Sequence, residues 1–289
     1  MKLKLIAAAL AFAATGNAFA ITAADDVSSG NSFLLLTVLD SSYNGGVGRA
    51  YIRSLEVGMN DFGTMNQLAA FPGSIRDDGV NNADGQTWSG GAAWTSFVTG
   101  VSDVNALTWD VTALDSNGTS ALNQKRVLTT SNTNLQTAVA NAGVLFNNNS
   151  ITLAGTNQDV YWDAAIAALG NGTEVVVDDG ASNAFAIGAG KHSNNLGGQI
   201  TAINTMTNIG DADGMGFYYL TRSSASNTAE AVAKAYGDGA DLDYRFSLAS
   251  NGTLTYAAPV AAPVPEADTY ALMLAGLGLV GFLARRRKV

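Results

Sequence analysis

The chain has 289 residues, a formal net charge of −9, only 13% charged residues and no cysteine. The missing cysteines exclude disulfides, thiolate metal sites and cysteine nucleophiles, and an acidic body without a basic stripe disfavours nucleic-acid binding. The 32 glycines, with abundant asparagine, predict many short elements joined by turns rather than long helices.

The first 20 residues have the three parts of an export signal. Two lysines within the first four residues are followed by an apolar run at residues 5–14 and by the small-residue cleavage pattern Ala18-Phe19-Ala20. The apolar run is too short to be a stable membrane span. We therefore predict a signal peptide at residues 1–20, cleaved after Ala20, with the Sec translocon and signal peptidase as partners.

Residues 21–257 are predicted to form an exported, β-rich ectodomain. Strand signals lie at residues 32–39, 49–57, 174–177 and 216–221. A hairpin is predicted to join residues 243–248 to residues 253–256 through Ser250-Asn251-Gly252, because Asn-Gly between alternating runs is the strongest short-range hairpin signal. We expect a mainly β fold, a single β-sandwich or jelly-roll-like domain with minor helices.

The minor helices are predicted from apolar spacing and from glycines at their ends. Residues 133–143 and 159–170 each finish in glycine, a common helix stop, and Asp159 is a suitable N-cap for the second helix. Residues 228–237 fit a helix by their alanines and a strand by their alternation, and the sequence leaves both open.

His192 is the only histidine, so multi-histidine metal motifs are excluded and an acid–base role would rest on this residue. It lies in a polar stretch rich in glycine and asparagine, which favours a solvated loop histidine over a catalytic one. Three of the four tryptophans, Trp88, Trp94 and Trp109, fit either a sugar-stacking surface or a hydrophobic core, and the core is more common.

Acidic loops are the candidate metal sites. Ca²⁺ requires several convergent oxygens, and Asp-x-Asp with a glycine turn supplies them. The candidate ligands are Asp211, Asp213, Asp238, Asp241 and Asp243. An EF-hand loop starting at Asp211 would place Met215 and Arg222 at ligand positions, so that pattern fails. Surface turns remain the favoured interpretation, a structural Ca²⁺ ion is the alternative, and no other cofactor is expected.

The C-terminal part begins with an Ala/Pro-rich linker at residues 258–264. In the tail that follows, residues 265–289, the Gly276–Gly281 segment has the GxGxxG pattern. Only eight residues follow it and none is acidic, so a dinucleotide site is excluded. The uncharged run at residues 270–284 predicts a transmembrane helix. Its basic end, Arg285, Arg286, Arg287 and Lys288, is expected to stay cytoplasmic.

This order of features resembles the PEP-CTERM sorting signal of Gram-negative bacteria, a tail also labelled as an ice-binding-protein C-terminal domain. Pro265 and Glu266 match the start of the motif, residues 271–281 its apolar part, and residues 284–288 its basic end. The resemblance implies processing by an exosortase near Pro265-Glu266 and transfer of the protein to the cell surface or the extracellular polysaccharide matrix.

Together these features predict a non-enzymatic exported protein of the cell surface or biofilm matrix. It would face the periplasm as an inner-membrane-anchored intermediate before processing by the exosortase. A carbohydrate-binding module that contacts exopolysaccharide is the alternative, and a secreted hydrolase ranks third.

Overall fold

A computed structural model describes residues 32–59, 75–76, 86–115, 125–132, 147–178, 192, 204–211, 214–237, 244–257 and 277. The chain divides into two units, residues 1–258 and 259–289. In the second unit only Leu277, an exposed helical residue, is described, so the predicted helix at 270–284 otherwise lies outside the described residues. None of the helices in the described ranges combines the length and hydropathy that a membrane span requires.

The first unit is mainly β, which confirms the predicted class. Its strands are β1 (Phe33–Asp40), β2 (Arg49–Gly58), β3 (Ile75–Arg76), β4 (Gln86–Trp88), β5 (Thr108–Asp115), β6 (Arg126–Ser131), β7 (Glu174–Asp178), β8 (Thr207–Asn208), β9 (Met215–Thr221), β10 (Val232–Gly237), β11 (Arg245–Leu248) and β12 (Leu254–Ala257). The four predicted strands correspond to β1, β2, β7 and β9, and the predicted hairpin to β11 and β12. For residues 228–237 the sequence allowed either a helix or a strand, and the structure has strand β10 at Val232–Gly237.

The described strands join in one 12-stranded sheet along the path β4-β12-β11-β9-β6-β5-β1-β2-β7. All neighbours on this path are antiparallel. The path branches where β9 also pairs with β10, and where β5 also pairs with β8. Strand β4, at one end of this path, contacts β2, which neighbours the strand at the other end, since the Trp88 indole donates to the Leu55 carbonyl over 3.1 Å. The sheet is therefore curled, and the finer assignment to a sandwich or jelly roll stays a prediction.

Within the described residues, three helical segments accompany the sheet: the single turn α1 (Tyr43–Gly46), α2 (Ala92–Val98) and α3 (Asn148–Leu169). A short 3-10 turn spans Val104–Ala106. The predicted helix at residues 133–143 lies outside the described residues. Helix α3 has 22 residues, so the expectation against long helices was wrong, and the predicted helix at 159–170 is only its second half.

Tertiary packing accounts for the length of α3. Its buried side chains lie three or four residues apart along the helix and so form one stripe; they are Asn148, Ile151, Ala154, Gln158, Tyr161, Trp162, Ala165 and Leu169. The side chain of Asn147 caps its start by accepting the Ser150 N–H over 3.0 Å, so Asp159 is an interior residue rather than the N-cap. The helix ends at the predicted Gly170, whose φ of +56° favours glycine.

The central strands are buried on both faces. Every residue of β6 and β9 is buried, and in β1 and β5 only the first residue is partly exposed. Thr37 of β1 pairs with Asp110 of β5, and Val38 pairs with Trp109, so the two pairs lie on opposite faces. We call the face of Thr37 and Asp110 the helix face, because α3 covers it. The opposite face, which carries Tyr51, Trp109 and Phe217, is called the aromatic face.

Candidate functional site

The single histidine lies at the centre of a buried polar network on the helix face. His192 Nε2 is 2.8 Å from Asp110 Oδ1, and His192 Nδ1 is 3.1 Å from Gln158 Oε1. The Tyr161 ring stacks on the imidazole with 4.2 Å between centroids, and the Tyr161 hydroxyl is hydrogen-bonded to Thr37. His192 is fully buried, so its interpretation as a solvated loop residue was wrong.

Regular secondary structure positions every partner of this histidine. Thr37 and Asp110 face each other directly across the β1–β5 pair. Gln158 and Tyr161 lie three residues apart on α3 and therefore project from the same side of the helix. His192 thus fills the space between helix and sheet, and its two ring nitrogens connect β5 to α3.

Burial dominates the electrostatics of the network. It raises the pKa of Asp110, while the charge and hydrogen bond of His192 act in the opposite direction. Burial likewise raises the pKa of Tyr161. Asp110 Oδ2 has no hydrogen-bond partner, so the carboxylate is held through one oxygen. With Asp110 and His192 fully enclosed, this arrangement orders the contact between α3 and the sheet.

A second cluster of ionisable groups lies on the aromatic face at the edge strand β7. Glu174 accepts the Tyr51 hydroxyl over 2.8 Å and the backbone N–H groups of Gly91 and Ala93 over 3.0 and 3.2 Å. Arg53 Nη1 lies 3.5 Å from the same carboxylate. The two backbone bonds come from the start of α2, so Glu174 caps that helix and attaches it to the sheet.

The tryptophans serve the core, as the commoner interpretation predicted. Trp94 and Trp109 are buried, and Trp88 is half-buried. Trp94 packs edge-on against Tyr51 with 5.2 Å between ring centroids. It also lies against Gly252 of the β11–β12 turn, where φ is +82° and a Cβ would come within 2.6 Å of the indole. A sugar-stacking platform built on Trp94 and Trp109 is thereby excluded.

An open groove of about 620 Å³ lies beside β8. Among the described residues that line it, amides and hydroxyls are the most frequent side-chain groups; these residues are Asn105, Thr108, Asn204, Met206, Thr207, Asn208, Gly210 and Asp211. Strand β8 forms one wall and pairs with the first two residues of β5, Thr108 and Trp109. The groove is thus built on the end of a central strand, next to the folded core.

Asp211 is the one predicted Ca²⁺ ligand that the structure describes. It is exposed in the groove, and its carboxylate accepts the Thr207 hydroxyl over 2.9 Å. The other four candidates, Asp213, Asp238, Asp241 and Asp243, lie outside the described residues. Within the described ranges no three His, Asp or Glu side chains converge as a metal site would require, and the Ca²⁺ site stays a prediction.

Sequence reasoning identified neither the partners of His192 nor the groove. Residues 108–113 do alternate between polar and apolar types, which is a strand signal. The polar members of such a strand are normally expected in solvent, whereas here Asp110 and Thr112 are buried on the helix face. The groove depends on strand β8, whose two residues are too few to show the alternation of polar and apolar side chains that marks a strand in a sequence.

The predicted processing residues, namely Ala20, Pro265, Glu266, Arg285, Arg286, Arg287 and Lys288, lie outside the described residues. No curated protein and no solved structure gives a significant match to the chain. Residues 263–288, however, match the family model of the PEP-CTERM protein-sorting motif. The chain therefore carries a PEP-CTERM sorting motif at its C-terminus, which implies an exported protein that passes through a membrane-anchored intermediate and is sorted by an exosortase.

Proposed function

We propose that the protein is a non-enzymatic component of the cell surface or extracellular polysaccharide matrix of a Gram-negative bacterium. The observation that carries this proposal is the PEP-CTERM motif at residues 263–288. A sorting motif directs the protein to its destination, and the ectodomain that remains after sorting performs the function there.

The proposed route starts at the Sec translocon, with signal peptidase cutting after Ala20. The apolar segment at residues 270–284 then holds the chain in the inner membrane, with Arg285 to Lys288 on the cytoplasmic side. An exosortase cuts near Pro265-Glu266 and releases the ectodomain toward the surface and the biofilm matrix.

A structural role is supported by how the ectodomain uses its ionisable groups. Asp110 and His192 are fully buried and bonded to each other, and Glu174 caps a helix. Groups engaged in this way stabilise a fold, whereas an acid–base catalyst must reach a substrate. The hydrogen bond between β4 and β2, which lie near opposite ends of the sheet path, further supports a closed sandwich or jelly-roll-like domain.

Mass spectrometry of the mature termini tests the sorting part of the proposal. In cells with an active exosortase, we expect Ile21 at the N-terminus and loss of the segment that ends in Lys288-Val289. In cells lacking the exosortase, that C-terminal segment should be retained. The double variant Pro265→Ala/Glu266→Ala should block processing, whereas Pro259→Ala, in the linker outside the matched motif, should not. An intact C-terminus in the exosortase-positive strain would overturn the proposal.

A carbohydrate-binding role is the second candidate, and the amide-lined groove beside β8 is the observation that favours it. Incubation of the protein with a panel of exopolysaccharides distinguishes the candidates. Retention of intact polysaccharide indicates binding, release of sugars indicates a hydrolase, and neither result indicates a purely structural role.

A further inference from the structure

We propose that the groove beside β8 is a binding site for a neutral glycan, with room for one or two sugar units. The assignment deepens the carbohydrate-binding candidate and does not depend on exosortase processing. The groove has a volume of about 620 Å³, which lies within the range of about 300–1,000 Å³ typical of small-molecule sites.

The groups that line the groove match a polyhydroxylated ligand. Asn105, Asn204 and Asn208 each provide an amide that both donates and accepts, as adjacent sugar hydroxyls do. Asp211 adds a carboxylate, which accepts hydrogen bonds from hydroxyl groups. Among the lining residues that the structure describes, none is cationic and Asp211 is acidic, so these residues offer no counter-charge to phosphate, sulfate or uronic acid groups. This chemistry selects a neutral glycan over an anionic one.

Asn204 provides an independent sign that a donor is missing. Its Oδ1 atom is buried and has no hydrogen-bond partner. Buried polar atoms in folded proteins are nearly always paired, and an unpaired acceptor is unfavourable. Because Asn204 lines the groove, rotation of its side chain on binding brings this oxygen to a ligand hydroxyl, which donates the hydrogen bond that the oxygen lacks in the free protein.

The backbone around Asn204 is fixed before any ligand arrives. The Asn204 carbonyl accepts the Ser131 hydroxyl over 3.0 Å and the Asn132 N–H over 3.3 Å, so β6 holds this residue in place. The next carbonyl, that of Thr205, accepts the Thr130 hydroxyl over 3.0 Å. A site whose groups are already oriented loses little conformational entropy on binding.

The opposite end of the β8 wall is fixed in the same manner. Beyond β8, the Ile209 N–H donates to the Leu107 carbonyl over 3.0 Å and the Gly210 N–H to the Asn105 carbonyl over 3.2 Å. A Cβ on Gly210 would come within 3.1 Å of the Asn105 Cβ, so the two segments are in close contact. Met206 contributes apolar surface to the groove, against which the C–H groups of a sugar ring can pack.

Isothermal titration calorimetry with soluble tetrasaccharides tests the assignment. The full chain is purified in a zwitterionic detergent, because sugar-based detergents would compete for the groove. The probes are cellotetraose, maltotetraose, chitotetraose and xylotetraose, with tetragalacturonic acid as the anionic comparison. We expect saturable binding of at least one neutral probe, at least tenfold weaker binding of the anionic one, and no cleavage products by chromatography.

Substitutions in and outside the groove test whether the glycan binds there. Asn208→Ala should weaken binding at least tenfold, and Asn171→Ala, in an exposed turn away from the groove, should leave the affinity unchanged. Asn204→Leu should abolish binding without lowering the melting temperature, because it removes an acceptor that has no partner in the free protein. A merely structural asparagine would instead lose stability on this substitution.

Three results would overturn the assignment. The first is that no neutral probe binds saturably, and the second is that the anionic probe binds as tightly as the neutral probes or more tightly. The third is that both Asn204→Leu and Asn208→Ala bind with undiminished affinity. Each leaves the sorting proposal intact, since that proposal is tested by the mature termini of the protein in cells. Conversely, unprocessed termini would leave the binding data unaffected.

Discussion

On one face of the central sheet, Tyr51 and Phe217 lie among other aromatic rings. On the opposite face, Thr37 is hydrogen-bonded directly to α3, and Asp110 is connected to α3 through His192. The same strands supply both faces, and both are buried. The aromatic face is held by apolar burial, which has no direction and scales with area. The helix face is held by directional bonds, so each group there depends on one particular partner.

The two faces of the sheet should differ in how they tolerate substitutions. On the aromatic face, loss of a ring removes many small contacts and leaves a cavity. On the helix face, loss of one polar group leaves its partner buried and unpaired, although little volume changes. We therefore expect volume to decide the cost on the first face and hydrogen-bond pairing to decide it on the second.

The largest loss of stability is expected from Phe217→Ala. Phe217 is fully buried, and its ring centroid lies 5.2 Å from that of Tyr236 and 5.0 Å from that of Phe246. The truncation should lower the free energy of unfolding by about 3–5 kcal/mol, the usual cost of deleting a buried phenylalanine side chain. Urea unfolding, monitored by tryptophan fluorescence, measures this loss of stability. Val160→Ala, at a 59% exposed position, is the control and should stay within about 0.5 kcal/mol.

A smaller but partner-specific loss is expected from Asp110→Ala. The substitution leaves His192 Nε2 buried without its acceptor, which costs about 1–3 kcal/mol. Asp110→Asn keeps an oxygen in nearly the same volume and should recover part of the loss. Comparison of the two variants by urea unfolding therefore separates pairing from packing. Equal stability of Asp110→Ala and the wild type would show that the network does not hold α3 on the sheet.

The contrast between the faces also explains what could be predicted from the sequence. The hairpin of β11 and β12 was predicted correctly, because Asn251-Gly252 marks its turn and Tyr244, Phe246 and Leu248 alternate toward the core. Apolar alternation is a local signal and is visible in one strand at a time. The parts of the aromatic face that carry such alternation were therefore accessible to sequence reasoning.

Strands β5 and β6 were not predicted, although they lie at the centre of the sheet. Asp110 and Thr129 are polar residues that are usually solvated, and here they are buried. The burial of Asp110 requires a partner distant in sequence, since its hydrogen bond goes to His192, which is 82 residues away. The lone histidine was misinterpreted for the same reason, since its neighbours in sequence are polar but its neighbours in space are Asp110, Gln158 and Tyr161.

The smallest of the expected effects concerns Glu174, which attaches α2 to the aromatic face. Burial raises the pKa of this carboxyl, but the hydrogen bonds from Gly91, Tyr51 and Ala93 and the charge of Arg53 outweigh that effect, so the pKa is lowered below its usual range. A lowered pKa in the folded state means that the folded protein binds this proton more weakly than the unfolded chain does. Its contribution to stability is therefore present above the unfolded-state pKa and is lost as the pH falls through the folded-state pKa.

Glu174→Gln removes this charge and with it the pH-dependent contribution. Because the side chain is partly exposed, we expect the variant to be less stable than the wild type by under about 1 kcal/mol at pH 7. The difference should stay nearly constant between pH 7 and pH 5, above the unfolded-state pKa, and should be smaller at pH 3, because the contribution is lost as the pH falls toward and through the lowered folded-state pKa. Urea unfolding at the three pH values measures it, and Glu56→Gln, an exposed residue of β2, should stay within about 0.5 kcal/mol at pH 7. A difference that grows on acidification would contradict the proposed role of the carboxylate in holding α2, because only the charged form accepts all three hydrogen bonds.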